Sequence, residues 1–214
     1  EDSLQQMRTI LEKEDTACFI FEPIVQSVAG MRVHSAKGLS SLLSLCKEYG
    51  VLTIADEVMT GFGRTGPHFA IDHLTESPDI ICLAKGITGG FLPLGATICK
   101  EDLYENFLSS DKKKAFLHGH SYCGNPLACA AGIASMEVLK ENDCQIKREN
   151  IQNSHENFIE KWKEHPKIAH SHVTGTILGI EYKTEESSSY YNDLRDRLLQ
   201  HFHARNILLR PLGN

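Results

Sequence analysis

The sequence predicts an α/β fold, a mostly parallel sheet followed by part of a smaller α+β domain, on three observations. First, the runs Ala17–Phe21, Val51–Ala55 and Asp79–Leu83 are rich in Val, Ile, Leu and Cys and do not alternate with polar residues, the pattern of strands covered on both faces. Second, Lys37 to Tyr49 lies between the first two of these runs, with leucines at 39, 42, 43 and 45 in helical spacing and Gly50 as a natural stop. A strand, helix, strand order of this kind implies a parallel pair joined by a right-handed crossover. Third, the texture of the chain changes near residue 143, which divides it into a larger unit over 1–142 and a smaller one over 143–214.

The remaining elements follow in order. The chain opens in a helical pattern (Leu4, Met7, Ile10, Leu11). After Leu83 come a glycine-rich turn, a strand over Gly95–Cys99 and a short helix over Glu101–Leu108. Pro126 suits the first turn of a long helix to about Lys140, whose alanines at 128, 130, 131 and 134 permit close packing. Beyond it the pattern predicts a charged helix from about Gln145 to Lys163, strands over Ile168–Thr174 and Ile177–Tyr182, and a polar loop at Ser187–Ser189. A helix from about Tyr191 to Ala204 and a last strand over Ile207–Arg210 complete it. An opening in mid-helix and an ending just after a strand are what a piece of a longer protein would show.

Composition sets the class. With 41% hydrophobic and 23% charged residues and a formal net charge of -6, the chain resembles an ordinary, mildly acidic globular protein with nothing to recruit nucleic acid. Lys112, Lys113 and Lys114 form a short basic run that reads as a solvated loop. No run approaches the roughly 18 apolar residues of a membrane span. The seven cysteines lack CxxC spacing, and Cys18, Cys82 and Cys99 sit inside apolar strand runs, so reduced, buried thiols in a cytoplasmic compartment are expected.

The segment Gly61-Phe62-Gly63-Arg64-Thr65-Gly66 satisfies the dinucleotide pattern G-x-G-x-x-G. It is rejected as one. Asp56 to Thr60 separate it from its strand, Pro67-His68 follow it where a helix should begin, and the expected acid at the end of the next strand is missing.

Strand ends of parallel sheets are where α/β proteins place ligands. Asp56 stands at one such end and Lys85 at the next, with Gly86, Gly89 and Gly90 leaving little bulk around the lysine stem. A lysine amine forms an imine with an aldehyde cofactor and later serves as a base, while a carboxylate keeps a pyridine nitrogen protonated so that the ring withdraws electrons. Taken singly, a strand-end aspartate is commonly a cap and a lysine a surface charge.

The segments Glu22-Pro23-Ile24-Val25-Gln26, Ala55 to Gly66, Leu83-Ala84-Lys85-Gly86-Ile87-Thr88-Gly89-Gly90 and Gly124-Asn125-Pro126-Leu127-Ala128 resemble the signature blocks of class III aminotransferases. These are fold-type I enzymes that use pyridoxal 5'-phosphate. The branch most similar moves an amino group from adenosylmethionine to 8-amino-7-oxononanoate, giving the 7,8-diaminononanoate of biotin synthesis. Its marks are Phe116-Leu117-His118-Gly119, the inserted Val25, Met59 in place of the family's usual Gln, and Ile207 to Gly213. Other class III members, acting on ω-amino acid or ornithine-type donors or as aminomutases, share the same blocks. An inactive interaction module of the same fold is the reading outside enzymology.

The resemblance implies the site. Lys85 would carry the cofactor and Asp56 pair with its ring nitrogen. His120 and Ser121 fall where the family has a Pro-Thr pair reaching the cofactor phosphate of the neighbouring subunit. Ser121 keeps the hydroxyl, whereas His120 departs from the pattern. Gly119 falls at a substrate contact and Arg210 at the arginine that grips the substrate carboxylate, for which a planar guanidinium is suited. A surface salt bridge is the plain alternative for Arg210. Glu22, at a strand end, and Arg64 would lie near the site. His118, His120 and Cys123 lack the spacing and fourth ligand of a metal centre, so no metal is expected. The resemblance further implies a homodimer with a shared site, small-molecule donor and acceptor, and an upstream region that supplies the phosphate turn and a stacking ring. The 214 residues alone are therefore expected to be inactive.

Overall fold

The computed structural model describes residues 2–28, 30–184, 193–209 and 211–212. Helix α1 (Asp2–Leu11) precedes β1 (Cys18–Phe21), a small hairpin of β2 (Val25–Gln26) and β3 (Arg32–Val33), α2 (Ala36–Glu48) and β4 (Leu52–Asp56). Then come β5 (Ile80–Leu83), β6 (Ala96–Cys99), α3 (Glu101–Glu105), α4 (Pro126–Lys140), α5 (Asn142–Trp162), β7 (Ile168–Thr174), β8 (Ile177–Tyr182) and α6 (Leu194–His203).

The main sheet has the order β1-β4-β5-β6. β1 and β5 flank β4 in parallel, with Phe21 opposite Ala55 and Asp56 opposite Cys82, and β6 closes the edge antiparallel to β5. This is the predicted α/β arrangement, and α2 is the crossover helix. Its start is set by Ser35, whose hydroxyl accepts from the Gly38 N–H at 3.2 Å, and its end by Gly50 at φ +66°. α4 begins at Pro126 behind Asn125, whose Oδ1 accepts from the N–H groups of Leu127 and Ala128.

Alternation along the strands shows which face is packed. Phe21 and Ala55 point toward α2 and join its Leu39 and Leu43 in one buried cluster. Leu11, Leu45, Cys46 and Val51 form a second cluster between α1 and α2, and Ile24, Val25, Ala70 and Ile177 a third under the hairpin. The opposite face carries Cys18, Ile20, Leu52, Ile54, Asp56, Ile80 and Cys82, and Ile20 is 60% exposed.

Two expectations are corrected here. The strands are covered on one face rather than both among the described residues, so Cys18 and Cys99, which lie on the edge strands, are exposed; Cys46 is the buried thiol. Of the predicted strand Ile207–Arg210, residues 207–209 are irregular and have no ladder partner among the described residues. The Ser187–Ser189 loop, the first residues of the predicted last helix, Arg210 and Gly213 lie outside the described residues. Among the described residues no helix is long and apolar enough to cross a membrane.

The second half of the chain adds an antiparallel hairpin, β7 with β8, against which α5 packs. Its turn at Gly175 reaches back to the glycine-rich loop after β4. The Arg64 carbonyl accepts from the Thr176 N–H at 2.9 Å, and a Cβ on Gly175 would lie 2.5 Å from that carbonyl oxygen and from the Gly66 nitrogen. Only a residue without a side chain allows so close an approach, and its φ of +58° favours glycine for a second reason.

Candidate active site

Three neighbouring parallel strands end in line. Glu22 follows β1, Asp56 closes β4, and Lys85 lies two residues past the end of β5. The pairing of β4 with β5 continues past Asp56, because the Glu57 N–H donates to the Cys82 carbonyl at 3.0 Å. Two of the residues proposed to hold a ligand are thereby tied to one sheet edge.

Asp56 is half-buried, and its alternation with Ala55 turns it to the sheet face that α2 leaves open. Its Oδ1 accepts from the Val58 N–H at 3.0 Å; among the described residues Oδ2 accepts no hydrogen bond. Burial pushes the thiol of its strand partner Cys82 up, and the negative charge of Asp56 adds to that.

Lys85 opens a short 3-10 turn, Lys85–Thr88, and is exposed. Its backbone is left-handed at φ +47°, an unusual conformation for a residue with a Cβ and one that structures retain where the surroundings enforce it. Ala84 before it is extended, and Gly89 after it is left-handed and donates to the Gly86 carbonyl. Gly86 touches two other elements. A Cβ there would lie 2.8 Å from Cδ2 of Phe62, and its carbonyl accepts from the Ser135 hydroxyl of α4 at 3.1 Å.

The glycine-rich loop forms turns rather than opening a helix, and its groups are taken up by protein. Arg148 of α5 donates to the carbonyls of Gly63 and Gly66, and its guanidinium fills the space that a Cβ on Gly63 would need. Arg64 is exposed and contributes its carbonyl to the β7–β8 turn. The loop is a junction between the two halves of the chain and has no vacant phosphate cradle of the dinucleotide kind.

Glu22 is half-buried and bound inward: its carboxylate accepts from the Ser27 N–H at 2.7 Å and the Ser27 hydroxyl at 2.6 Å, which closes the turn into the hairpin. Gly119, His120 and Ser121 form an exposed stretch between α3 and α4 in the chain. His120 Nδ1 accepts from the Tyr122 N–H and the His120 N–H donates to Cys123 Sγ. Among the described residues no hydrogen bond or ion pair joins this stretch to Asp56 or Lys85, and Arg210 lies outside the described residues.

One buried group was not foreseen. Glu57 is fully buried and accepts from the Thr60 hydroxyl at 2.6 Å and the Ile71 N–H at 2.8 Å. Burial raises its pKa, against the lowering pull of those hydrogen bonds. Its place beside Asp56 in the sequence was the available signal, masked because charged residues in a loop ordinarily face water.

A family profile described as "Aminotransferase class-III" matches residues 1–214. The chain belongs to the class III aminotransferase family. An adenosylmethionine-8-amino-7-oxononanoate aminotransferase of Synechococcus elongatus is 42% identical over 94% of this chain and 46% of its own length. The crystal structure of the enzyme of that name from Methanocaldococcus jannaschii superposes with a TM-score of 0.87 at 35% identity, covering 99% of this chain and 51% of that one. An (S)-enantioselective omega-transaminase from Thermomicrobium roseum gives 0.88 at 29% identity, over 99% and 48%. The chain thus spans about half the length of the relatives it matches, and its fold is the fold-type I arrangement of class III aminotransferases.

Class III aminotransferases use pyridoxal 5'-phosphate, and the residues present fit the ring end of that cofactor. An exposed lysine stands on a glycine-flanked turn, and the next strand carries a carboxylate with one oxygen free of described hydrogen bonds.

Proposed function

We propose that this chain works as part of a class III aminotransferase that moves an amino group from adenosylmethionine to 8-amino-7-oxononanoate. The observation that carries the transaminase reading is the placement of Asp56 and Lys85 at the ends of adjacent parallel strands, on the sheet edge where such folds bind ligands. The 42% identity to a relative of that name supports the substrate assignment. Residues 1–142 are assigned to the large domain and 143–214 to the small one.

Pyridoxal phosphate, when bound, would supply an electron-withdrawing ring and an aldehyde carbon able to carry the amino group between donor and acceptor. In this reading Lys85 Nζ holds the cofactor and moves the proton at the substrate carbon bearing nitrogen. The Asp56 carboxylate keeps the proton on the ring nitrogen. Ser121, with the His120 backbone, reaches the phosphate in a neighbouring subunit, and Gly119 borders the substrate there. Arg210 grips the substrate carboxylate through its two parallel donors.

A homodimer with shared sites is part of the proposal. Leu127, Ile133 and Val138 of α4 are 71%, 63% and 54% exposed and Leu117 92%, apolar surface of the kind that interfaces cover. The test is an assay of the full-length protein with adenosylmethionine and 8-amino-7-oxononanoate, set against ω-amines and ornithine with pyruvate or 2-oxoglutarate. Turnover confined to the first pair is expected. Turnover confined to the others transfers the chain to an ω-amine or ornithine-type activity, and no turnover with any pair defeats the transaminase reading.

A further inference from the structure

Phe62 belongs to a segment that starts at Asp56 and returns to Lys85. The Glu57 N–H holds it to β5 through the Cys82 carbonyl, the Gly61 N–H closes on the Glu57 carbonyl at 3.0 Å, and the buried Glu57 carboxylate fixes Thr60 and Ile71. The turn so formed sets Phe62 in a left-handed conformation, φ +59°, and lays its side chain on the bare backbone of Gly86. Phe69 packs edge-on against the ring at 5.5 Å between centroids, and the Gly63 N–H donates to the His68 carbonyl behind it.

α4 packs on the same turn. Ser135 holds the Gly86 carbonyl, and Gly132 lets the helix approach until a Cβ there would lie 3.4 Å from the Ile87 carbonyl oxygen. The Lys85 turn is therefore held by two separate elements, and one of the two is the extension of the strand that carries Asp56.

We propose that Phe62 is a positioning residue that sets the separation between the Asp56 carboxylate and the Lys85 amine, with Ser135 as its counter-support. The proposal rests on reading those two groups as holding opposite ends of one cofactor. A rigid planar ring cannot stretch, so the protein must fix the span between them, and small misplacements of reacting groups are costly. A phenylalanine that only filled space would stabilise the fold without tuning the chemistry at Lys85.

The full-length protein, loaded with pyridoxal phosphate, is compared with its Phe62→Ala, Phe62→Leu and Ser135→Ala forms. The readouts are the pH midpoint of the visible absorption of the bound cofactor, the rate of cofactor release, and kcat against KM. Phe62→Ala is expected to shift the midpoint, to speed release and to lower kcat about 100-fold while KM changes little. Phe62→Leu should fall between it and the parent, and Ser135→Ala should shift the midpoint in the same direction by less. Where Phe62→Ala does not fold, the other two variants decide on the same midpoint and release rate. A folded Phe62 variant with the parent's midpoint and kcat overturns the positioning role alone. A Lys85→Ala control separates the two ideas: no visible band in the parent, or one that persists unchanged in Lys85→Ala, overturns the reading of Lys85 and this inference with it.

Discussion

Asp56 and Cys82 are register partners across the parallel pair β4–β5, and that alignment sets where Lys85 emerges. From Cys82 the chain runs through buried Leu83 and extended Ala84 into the left-handed turn at Lys85. The carboxylate leaves the sheet at the end of one strand and the amine just past the end of the next. Parallel pairing is what brings them to the same edge; an antiparallel register would have sent one of them to the opposite edge.

The conformation of Lys85 separates function from stability. A left-handed residue with a Cβ costs about 1 kcal/mol relative to glycine, and the exposed side chain recovers little of it. Lys85→Gly and Lys85→Ala should both lack the visible cofactor band and transaminase activity in the full-length protein. Lys85→Gly should nonetheless unfold at higher denaturant concentration than Lys85→Ala. Equal midpoints would mean that the turn carries no strain at this position.

Glu57 gives a pH dependence of definite sign. Its folded pKa is raised above the ordinary 4.5, so between the two values the native state binds more protons than the unfolded chain. Stability therefore falls as pH rises through that window and the cost persists above it. Glu57→Gln should remove that slope while keeping both hydrogen bonds, since its amide can accept from Ile71 and donate to the Thr60 oxygen. Glu57→Ala leaves the Ile71 N–H without its acceptor and should cost about 1–3 kcal/mol. Denaturant titrations from pH 4 to 8, an interval of about four units around the carboxylate range, distinguish the three proteins. A Glu57→Gln slope identical to the parent's would assign the effect to another group.

Much of the frame was legible in the sequence because it depends on local patterning. The apolar runs became β1, β4 and β5, the leucine spacing became α2, and Pro126 behind Asn125 started α4 where expected. The hairpin of β2 and β3 was not legible, since two-residue strands have no periodicity and its lock is a local turn in which Ser27 donates to Glu22, five residues back, outside any repeating pattern. Burial of Cys18 and Cys99 was inferred from apolar strands alone, and apolarity cannot tell whether both faces are covered. Asp56 and Lys85 were readable as strand-end residues, but the grip of Phe62 and Ser135 on Gly86 joins positions far apart in the chain and left no local trace.

The junction at Gly175 should be intolerant of even one methyl group. Its φ is positive and the atoms in the way are backbone, which cannot turn aside as a side chain would. Gly175→Ala is expected to cost more than the about 1 kcal/mol of an ordinary left-handed glycine replacement. Arg148→Ala, which frees the carbonyls of Gly63 and Gly66, should destabilise the same junction, and the two losses should be less than additive in the double variant. Strict additivity in chemical denaturation would show that the two contacts act independently.

The assignment of Ser121 to a neighbouring subunit's site can be tested by mixing. The full-length Lys85→Ala protein keeps Ser121, and the Ser121→Ala protein keeps Lys85. If the site takes its lysine from one subunit and its hydroxyl from the other, a hybrid dimer contains one site with both defects and one with neither. Random reassortment of equal amounts makes half the dimers hybrid, so about a quarter of the sites become intact. Activity should rise on co-refolding above the mean of the two separate proteins. If Ser121 served the lysine of its own chain, every hybrid site would keep one defect and no rise would occur. Ser121 is exposed, and among the described residues no hydrogen bond ties it to Asp56 or Lys85, which is the reason to expect the first outcome.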